Sequence, residues 1–187
     1  MRCACDPTLA NEREVEYYFA RNRFLVGKAG MTLYTLVRPA QRTDADQLQL
    51  TCWPDRALDS ITDLLARAEK LAQTRRGLGV VAIRDGIACA YGMLTLWPRT
   101  AEISDLIVAA SCRGQGIGSQ IITGLTEAAR NLNVSVLEIG VALSNPRALA
   151  LYRRLGFADH HTIRLDLGHG LESVLYLYKS LETTGLG

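Results

Sequence analysis

The sequence predicts an α/β (α+β) fold, in which helices flank a mixed, twisted central sheet of about seven strands. Strand-like and helical segments alternate along the chain in the order β-α-α-β-β-β-α-β-α-β-β. Apolar residues between Ile61 and Ala72 recur at helical spacing, which is typical of a helix that covers a core. Asp85-Gly86 separates two apolar runs and is a strong signal for a two-residue hairpin turn.

The length and composition predict one globular domain after a short extension. The chain has 187 residues, of which 48% are apolar and 21% charged, with a net charge of +2. Such a chain can bury a full core. It has no basic stripe that would predict a nucleic-acid partner, and no apolar run suited to a membrane span. We expect an N-terminal extension over 1–30, a domain over 31–187 and a cytoplasmic location.

Each element is predicted from a local pattern. In the extension, Asn11 and Glu14 can form a capping pair, and basic residues follow acidic ones, which predicts an extra helix over 11–23. The remaining predicted elements are strands at 33–37, 79–83, 87–97, 101–109, 134–143, 157–167 and 172–179, and helices at 43–52, from 60 onward, 116–131 and 145–155.

The most informative segment is a glycine-rich loop, RGQGIG at 113–118, between a predicted strand and a predicted helix. Glycine lets the main chain approach a ligand closely. The N–H groups in the first turn of a helix have no partners within the helix, and the helix dipole adds partial positive charge there. The loop therefore predicts a backbone site for phosphate.

Spacing distinguishes this loop from two other nucleotide-binding patterns. A P-loop has a lysine before its Ser/Thr, whereas Gly118 is followed directly by Ser119. A Rossmann fingerprint needs a third glycine where this chain has Ser119. It also needs an acid that closes the next strand, whereas Glu138 falls inside the strand-like run 134–143. A dinucleotide-binding protein is therefore disfavoured.

Two motifs together resemble one enzyme family. Arg113, Gly116 and Gly118 match the pattern Arg/Gln-x-x-Gly-x-Gly/Ala, which resembles the acyl-CoA pyrophosphate loop of the GNAT N-acetyltransferases. Residues 145–157, NPRALALYRRLGF, resemble the second signature of that family. The motifs occur in the family's order, and the resemblance covers roughly residues 33–180.

The resemblance implies a GNAT fold and an acetyl-CoA-dependent N-acetyltransferase, with acetyl-CoA as co-substrate and no metal. It implies a strand whose main chain pairs with the pantetheine arm, a loop whose N–H groups bind the pyrophosphate, and a side chain beside the arm. Splaying of the strands at 104–109 and 138–142 would form the slot for the arm. The implied donor-binding residues are Leu106, Ile107, Val108, Arg113, Gly114, Gln115, Gly116, Gly118, Ser119 and Asn145.

Transfer to an amine needs a base, because an amine is mainly ammonium near neutral pH. The resemblance implies Tyr152 as the general acid for the leaving thiolate. Glu102 is the preferred base, with Asp105 or a water chain as alternatives. The two acids face opposite sides of a strand unless a bulge intervenes. In ribosomal-protein-type relatives the base falls at the position of Gly140, and Glu138 lies two residues earlier.

Cysteine and histidine patterns predict no further site. The five cysteines are odd in number and scattered, which indicates neither a disulfide framework nor a zinc site. Cys112 lies next to the loop and would block it when modified, without being catalytic. The three histidines, His160, His161 and His169, lack the spacing of metal ligands.

Two functions of different class stay open. One is an enzyme, a monomer or homodimer, that acetylates the primary amine of a small molecule or peptide. The other is a non-catalytic acyl-CoA-binding module that retains the fold as a sensor or partner protein. Retention of Tyr152 and of candidate bases favours the enzyme. An entrance lined by Asp55, Asp59, Glu102 and Asp105 would suit a cationic acceptor.

Overall fold

Eight strands form one mixed sheet in the computed structural model, which describes residues 23–28, 31–98, 100–166, 168 and 170–181. The strand order is β1-β2-β3-β4-β5-β6-β8-β7, and β5 and β6 form its parallel pair. The strands are β1 Arg23–Lys28, β2 Met31–Pro39, β3 Gly77–Arg84, β4 Ile87–Leu96, β5 Thr100–Val108, β6 Val136–Ala142, β7 Ala158–Asp166 and β8 Leu171–Ser180, and the helices are α1 Ala45–Cys52, α2 Leu58–Gln73, α3 Ile117–Asn131 and α4 Pro146–Arg154.

This architecture confirms the predicted fold class. The order from β2 to β8 is the predicted one, and β1 adds a strand at the sheet edge, antiparallel to β2. The predicted helix over 11–23 lies outside the described residues as far as residue 22, and Arg23 begins β1. The division of the chain at residue 30 stays a prediction.

Local backbone geometry explains two of the connections. Asp85 and Gly86 have φ angles of 51° and 80°, the left-handed pair that a tight hairpin turn requires. A 3-10 turn at Arg42–Asp44 precedes α1, and Gln41 is the N-cap of that turn. The buried Asp44 carboxylate accepts a hydrogen bond from the Gln41 main chain at 2.8 Å and pairs with Arg38, which stabilises the entry to the first helix.

The helices cover both faces of the sheet. Tyr91 and Gly92 are successive residues of β4 and therefore point to opposite faces. A Cβ at Gly79 would lie 2.8 Å from Ala68 of α2 and 2.8 Å from the Tyr91 hydroxyl, whereas a Cβ at Gly92 would lie 2.8 Å from Ile121 of α3. We call the side of Tyr91, which α2 covers, the α2 face, and the side of Gly92 the α3 face.

The core fills the space between these helices and strands β3 to β6. None of the helices in the described ranges is long and apolar enough to span a membrane. At the far edge β7 is exposed along its whole length, so the core ends before that strand. The largest fully buried side chains are Tyr91, Leu48, Ile61, Leu65, Met93, Leu94, Ile103, Ile117, Ile121, Ile122 and Leu125.

A bulge interrupts β5 at Asp105. Met93 and Tyr91 of β4 are two residues apart, but their β5 partners, Ser104 and Ile107, are three apart. Asp105 has a φ of 52°, in the left-handed region that non-glycine residues rarely adopt. The extra residue reverses the alternation of β5. Even-numbered residues before the bulge and odd-numbered residues after it therefore point to the same face of the sheet.

Candidate functional site

The loop before α3 has the geometry of an anion site. Gly114 and Gly116 have φ angles of 74° and 82°, and a Cβ at either position would meet no atom within 4 Å. Glycine is therefore needed here for its backbone conformation rather than for lack of space. Gly116 is the N-cap of α3 and provides no side-chain cap, so the N–H groups of the first helical turn point into the loop without a capping oxygen.

A cavity of about 870 Å³ opens beside this loop, between β5, the start of α3 and α4. All of the predicted donor-binding residues except Gln115 line it. The cavity-lining residues are Leu106, Ile107, Val108, Cys112, Arg113, Gly114, Gly116, Ile117, Gly118, Ser119, Asn145, Arg147, Ala148, Leu151, Tyr152 and Arg154.

Two side chains of the loop support its own conformation. The amide of Gln115 donates to the main-chain oxygen of Ser111 at 2.9 Å. The guanidinium of Arg113 donates from Nε to the main-chain oxygen of Val108 at 3.0 Å. Arg113 thus connects the end of β5 to the loop while it lines the cavity, whereas Gln115 contributes to the turn and not to the cavity wall.

Basic residues of α4, which were not among the predicted site residues, add to the cavity. Arg147 and Arg154 both line it together with Arg113, and the lining contains no carboxylate. Arg147 and Arg154 are seven residues, or two helical turns, apart and so lie on the same side of α4. This seven-residue spacing was the sequence signal that could have identified the two arginines. Three guanidinium groups around one cavity favour a ligand with several phosphate charges.

The start of α4 follows from its first residues. The side chain of Asn145 accepts a hydrogen bond from the main-chain N–H of Ala148 at 3.1 Å, and Pro146 occupies the first turn. Such a cap stabilises a helix by about 1 kcal/mol. Asn145 also lines the cavity. The helix ends before Gly156, whose φ of 87° is the left-handed conformation that commonly terminates a helix.

Tyr152 projects from α4 and lines the cavity. Its side chain is 5% exposed, and its ring packs against Phe157 with centroids 6.4 Å apart. Burial raises the pKa of the Tyr152 phenol to about 12. The hydroxyl therefore keeps its proton at neutral pH and can donate a hydrogen bond to an anion in the cavity.

The cavity adjoins a gap between the parallel strands. Pairing of β5 with β6 runs from Thr100 opposite Val136 to Ile103 opposite Ile139 and ends there. The bulge at Asp105 follows two residues later in β5. The pairing therefore ends within the region where a slot was expected, and we call the unpaired region beyond Ile103 and Ile139 the gap.

The candidate base lies next to this gap, on the opposite face of the sheet from the cavity. Glu102 is opposite Thr95 of β4. Thr95 is four residues from Tyr91 and points to the same face, so Glu102 is on the α2 face. It does not line the cavity. Glu138 is its neighbour on β6. Burial and the charge of Glu138 raise the pKa of Glu102, which a hydrogen bond from Tyr176 partly offsets. A carboxyl with a raised pKa is better matched to proton transfer near neutral pH.

Asp105 shares this electrostatic environment but differs from Glu102 in exposure. It is exposed at the bulge, and its side chain accepts a hydrogen bond from Ser104 at 3.2 Å. Its charge also raises the pKa of Glu102. Asp55 and Asp59, the other acids of the predicted entrance, are exposed before and at the start of α2. Glu102 is the member of the set that combines burial with a position at the gap.

The cysteines near the loop are thiols. Cys52, Cys89 and Cys112 are free, and burial raises the pKa of the Cys89 thiol to about 12. Cys112 lines the cavity. No group of metal-ligating side chains occurs among the described residues.

A family model and individual relatives match this chain. The model of the acetyltransferase (GNAT) family matches residues 42–157, more than half of the chain. YvbK of Bacillus subtilis, an uncharacterized N-acetyltransferase, is 34% identical over 73 residues, which are 39% of this chain and 47% of YvbK. Thialysine N-epsilon-acetyltransferase of Bos taurus is 37% identical over 75 residues, 40% of this chain and 44% of that protein.

A solved structure shows the same fold over a longer range. It is that of yncA from Salmonella typhimurium with its cofactor acetyl-CoA, with a TM-score of 0.65 and 20% identity. The match covers 81% of this chain and 96% of yncA. By contrast, the present chain spans less than half the length of each of the two relatives matched by sequence.

Proposed function

We propose, since this chain belongs to the acetyltransferase (GNAT) family, that it transfers an acetyl group from acetyl-CoA directly to the primary amine of a small molecule or peptide. The observation that carries this proposal is the cavity at the start of α3. It combines an uncapped helix end and left-handed glycines with three arginines and a buried tyrosine. Acetyl-CoA supplies an activated thioester and three phosphate groups when bound.

The residues of the cavity suit such a donor. Main-chain N–H groups from Gly116 to Ser119 would bind the pyrophosphate, with charge supplied by Arg113, Arg147 and Arg154. The second half of β5, free of β6 beyond Ile103, has main-chain groups available to pair with the amides of the pantetheine arm. That arm would lead from the loop to Tyr152 at the gap between the strands.

On the acceptor side, we propose that Glu102 receives the proton of the amine, directly or through one water molecule. The nitrogen lone pair is then free to attack the thioester carbonyl carbon, a C–N bond forms, and the C–S bond breaks with its electron pair on sulfur. The acylated nitrogen loses its second proton to water, so that the products are the amide and the CoA thiolate. Tyr152 donates a hydrogen bond to the thiolate. With its pKa near 12, the phenol stabilises the thiolate more readily than it gives up its proton.

Direct transfer agrees with the positions of these groups. Donor and acceptor would approach from opposite faces of the sheet and meet at the gap, so no covalent intermediate on the protein is needed. Cys112 lines the cavity, but it lies in the turn before the loop, where we propose that the pyrophosphate binds. It is therefore remote from the proposed thioester position.

Calorimetric titration with acetyl-CoA tests donor binding, with NAD as the control ligand. We expect micromolar binding of acetyl-CoA and none of NAD. A Cβ at Gly118 would be in ordinary contact with Leu151 and Val108, at 3.5 and 3.6 Å. Gly118→Glu therefore places bulk and negative charge in the cavity at modest cost to the fold. We expect loss of binding in this variant and none in Thr62→Glu, a matched charge change on α2.

Turnover then separates an enzyme from a binding module. Thiol release is measured with a panel of spermidine, thialysine, an aminoglycoside and an Ala-initiated peptide. Binding of acetyl-CoA with release above the hydrolysis background for at least one amine supports the enzyme. Binding without release for any amine supports the non-catalytic module. A folded protein that binds no acyl-CoA contradicts both. The cytoplasmic location and the oligomeric state stay predictions.

A further inference from the structure

We propose that Tyr176 is a positioning residue for the reaction: it reaches across β6 and holds the Glu102 carboxylate at the gap between the strands. This inference rests on the proposed function, in which Glu102 is the base. Tyr176 belongs to β8, two strands away from β5, and neither the donor cavity nor the sequence motifs include it.

A glycine makes this reach possible. Tyr176 is opposite Gly140 of β6, and paired residues of antiparallel strands project from the same face. A Cβ at Gly140 would lie 3.4 Å from Cζ of Tyr176 and 3.3 Å from Val174. The ring of Tyr176 therefore lies over the main chain of β6, in space that a side chain at residue 140 would enter.

Tyr176 and Glu102 lie on the same face, because Tyr176 is opposite Gly140 and Glu102 is opposite Glu138, two residues from Gly140. Hydrogen bonding between the Tyr176 hydroxyl and Glu102 lowers the pKa of Glu102 and raises the pKa of Tyr176. Burial and the nearby carboxylates of Glu102 and Glu138 raise the pKa of Tyr176, so the phenol remains a donor over the working pH range. For Glu102 the effects oppose one another. Burial and the charges of Glu138 and Asp105 favour the protonated acid, whereas the Tyr176 hydrogen bond favours the carboxylate.

The edge strand holds the ring in place. His161 of β7 is opposite Tyr176, and the two rings stack with centroids 5.2 Å apart and planes 4° apart. His161 in turn contacts His160, with their Nδ1 atoms 3.0 Å apart. The charged and titratable groups that act on Glu102 and Tyr176 are Arg67 of α2, Asp105 of β5, Glu138 of β6 and His161 of β7.

Tyr178 provides a matched control. It follows Tyr176 by two residues on β8, so it has the same parity, and it is opposite Glu138. Its ring packs edge-on against His160 at 5.5 Å, and it is 37% exposed. Tyr178→Phe therefore removes a hydroxyl from the same strand and face without affecting the hydrogen bond to Glu102.

The direct test is the titration of Glu102 in protein labelled with ¹³C at the glutamate carboxyl carbon, followed by NMR. The Glu102 resonance is identified by its loss in Glu102→Gln. In Tyr176→Phe we expect the pKa of Glu102 to rise by about one unit, which is a tenfold change in its ionisation equilibrium. In Tyr178→Phe we expect no change. An unchanged titration of Glu102 in a folded Tyr176→Phe protein would overturn the proposal.

Failure of the proposed function would have a different signature. If Glu102→Gln turned over the panel amines at the wild-type rate, the base assignment would fall, whereas a raised pKa of Glu102 in Tyr176→Phe would still support the positioning contact. If both proposals hold, the acid limb of kcat/KM moves to higher pH by the same amount in Tyr176→Phe. That limb disappears in Glu102→Gln and is unmoved in Tyr178→Phe.

Discussion

The two sides of the gap between β5 and β6 carry opposite charge. On the α3 face, the cavity is lined by three arginines and no carboxylate. On the α2 face, Glu102 and Glu138 lie side by side on neighbouring strands. Opposite charge on the two faces would keep the anionic donor and the cationic acceptor that we propose on separate sides of one sheet. We expect changes on the first side to alter donor affinity, and changes on the second to alter proton transfer.

The largest effect is expected at the junction of the two sides. Tyr152→Phe removes the hydroxyl that we propose to face the thiolate and leaves the buried ring in place. We expect kcat to fall about hundredfold, the lower end for a lost acid–base group, with acetyl-CoA affinity within twofold of wild type. Steady-state thiol release and calorimetry measure the two quantities. Full turnover in Tyr152→Phe would remove this residue from the mechanism.

On the acceptor side, Glu102→Gln removes the proposed base with little change in shape. We expect kcat/KM for the active amine to fall about thirtyfold at pH 7, less than for Tyr152 because water can accept the proton in part. The affinity for acetyl-CoA should not change. A variant that instead lost donor binding would show that the two sides are not separate.

On the donor side, adjacent arginines of α4 form a matched pair. Arg154 lines the cavity, whereas Arg153 is exposed and bound to Asp159 through two hydrogen bonds. We expect Arg154→Ala to weaken acetyl-CoA binding about tenfold, a cost of about 1.4 kcal/mol, and Arg153→Ala to leave it nearly unchanged. Calorimetry at two salt concentrations checks this, since a lost phosphate contact also reduces the salt dependence. Equal effects of the two variants would contradict the proposed phosphate contact.

A smaller effect concerns stability and its pH dependence. The pKa of Glu102 is raised in the folded protein, so the folded state binds more protons than the unfolded state between the two pKa values. Stability contributed by this site is therefore full below the unfolded pKa and is lost as pH rises through the folded one. Glu102→Gln should raise the melting temperature at pH 8 relative to wild type and have little effect at pH 4.

The helices and the loop could be predicted from the sequence because their signals are local. The Gly116–Gly118 turn, the Asn145 cap and the Asp85-Gly86 hairpin each depend on residues within a few positions of one another. Glycine backbone freedom, capping oxygens and helical periodicity act over that range. The two short motifs therefore named the loop glycines, Asn145 and Tyr152 of the cavity lining, but not the arginines of α4.

The acceptor side could not be predicted in the same way because its contacts cross strands. Glu102 meets Glu138 through the parallel register of β5 and β6, and Tyr176 reaches Glu102 only because it is opposite Gly140. Such registers depend on the whole sheet. The sequence allowed a bulge in β5 but did not predict its position. No glycine marks the bulge, because Asp105 adopts the left-handed conformation there.

The bulge also makes the length of β5 a more sensitive variable than its composition. Removal of Asp105 would restore strict alternation and leave Leu106, Ile107 and Val108 on their present faces, because the bulge places one extra residue opposite Gly92. A deletion elsewhere in β5 that left the bulge in place would instead move each later residue to the opposite face of the sheet relative to the residues before it. The position of a deletion in β5 therefore matters more than the identity of the residue that is removed.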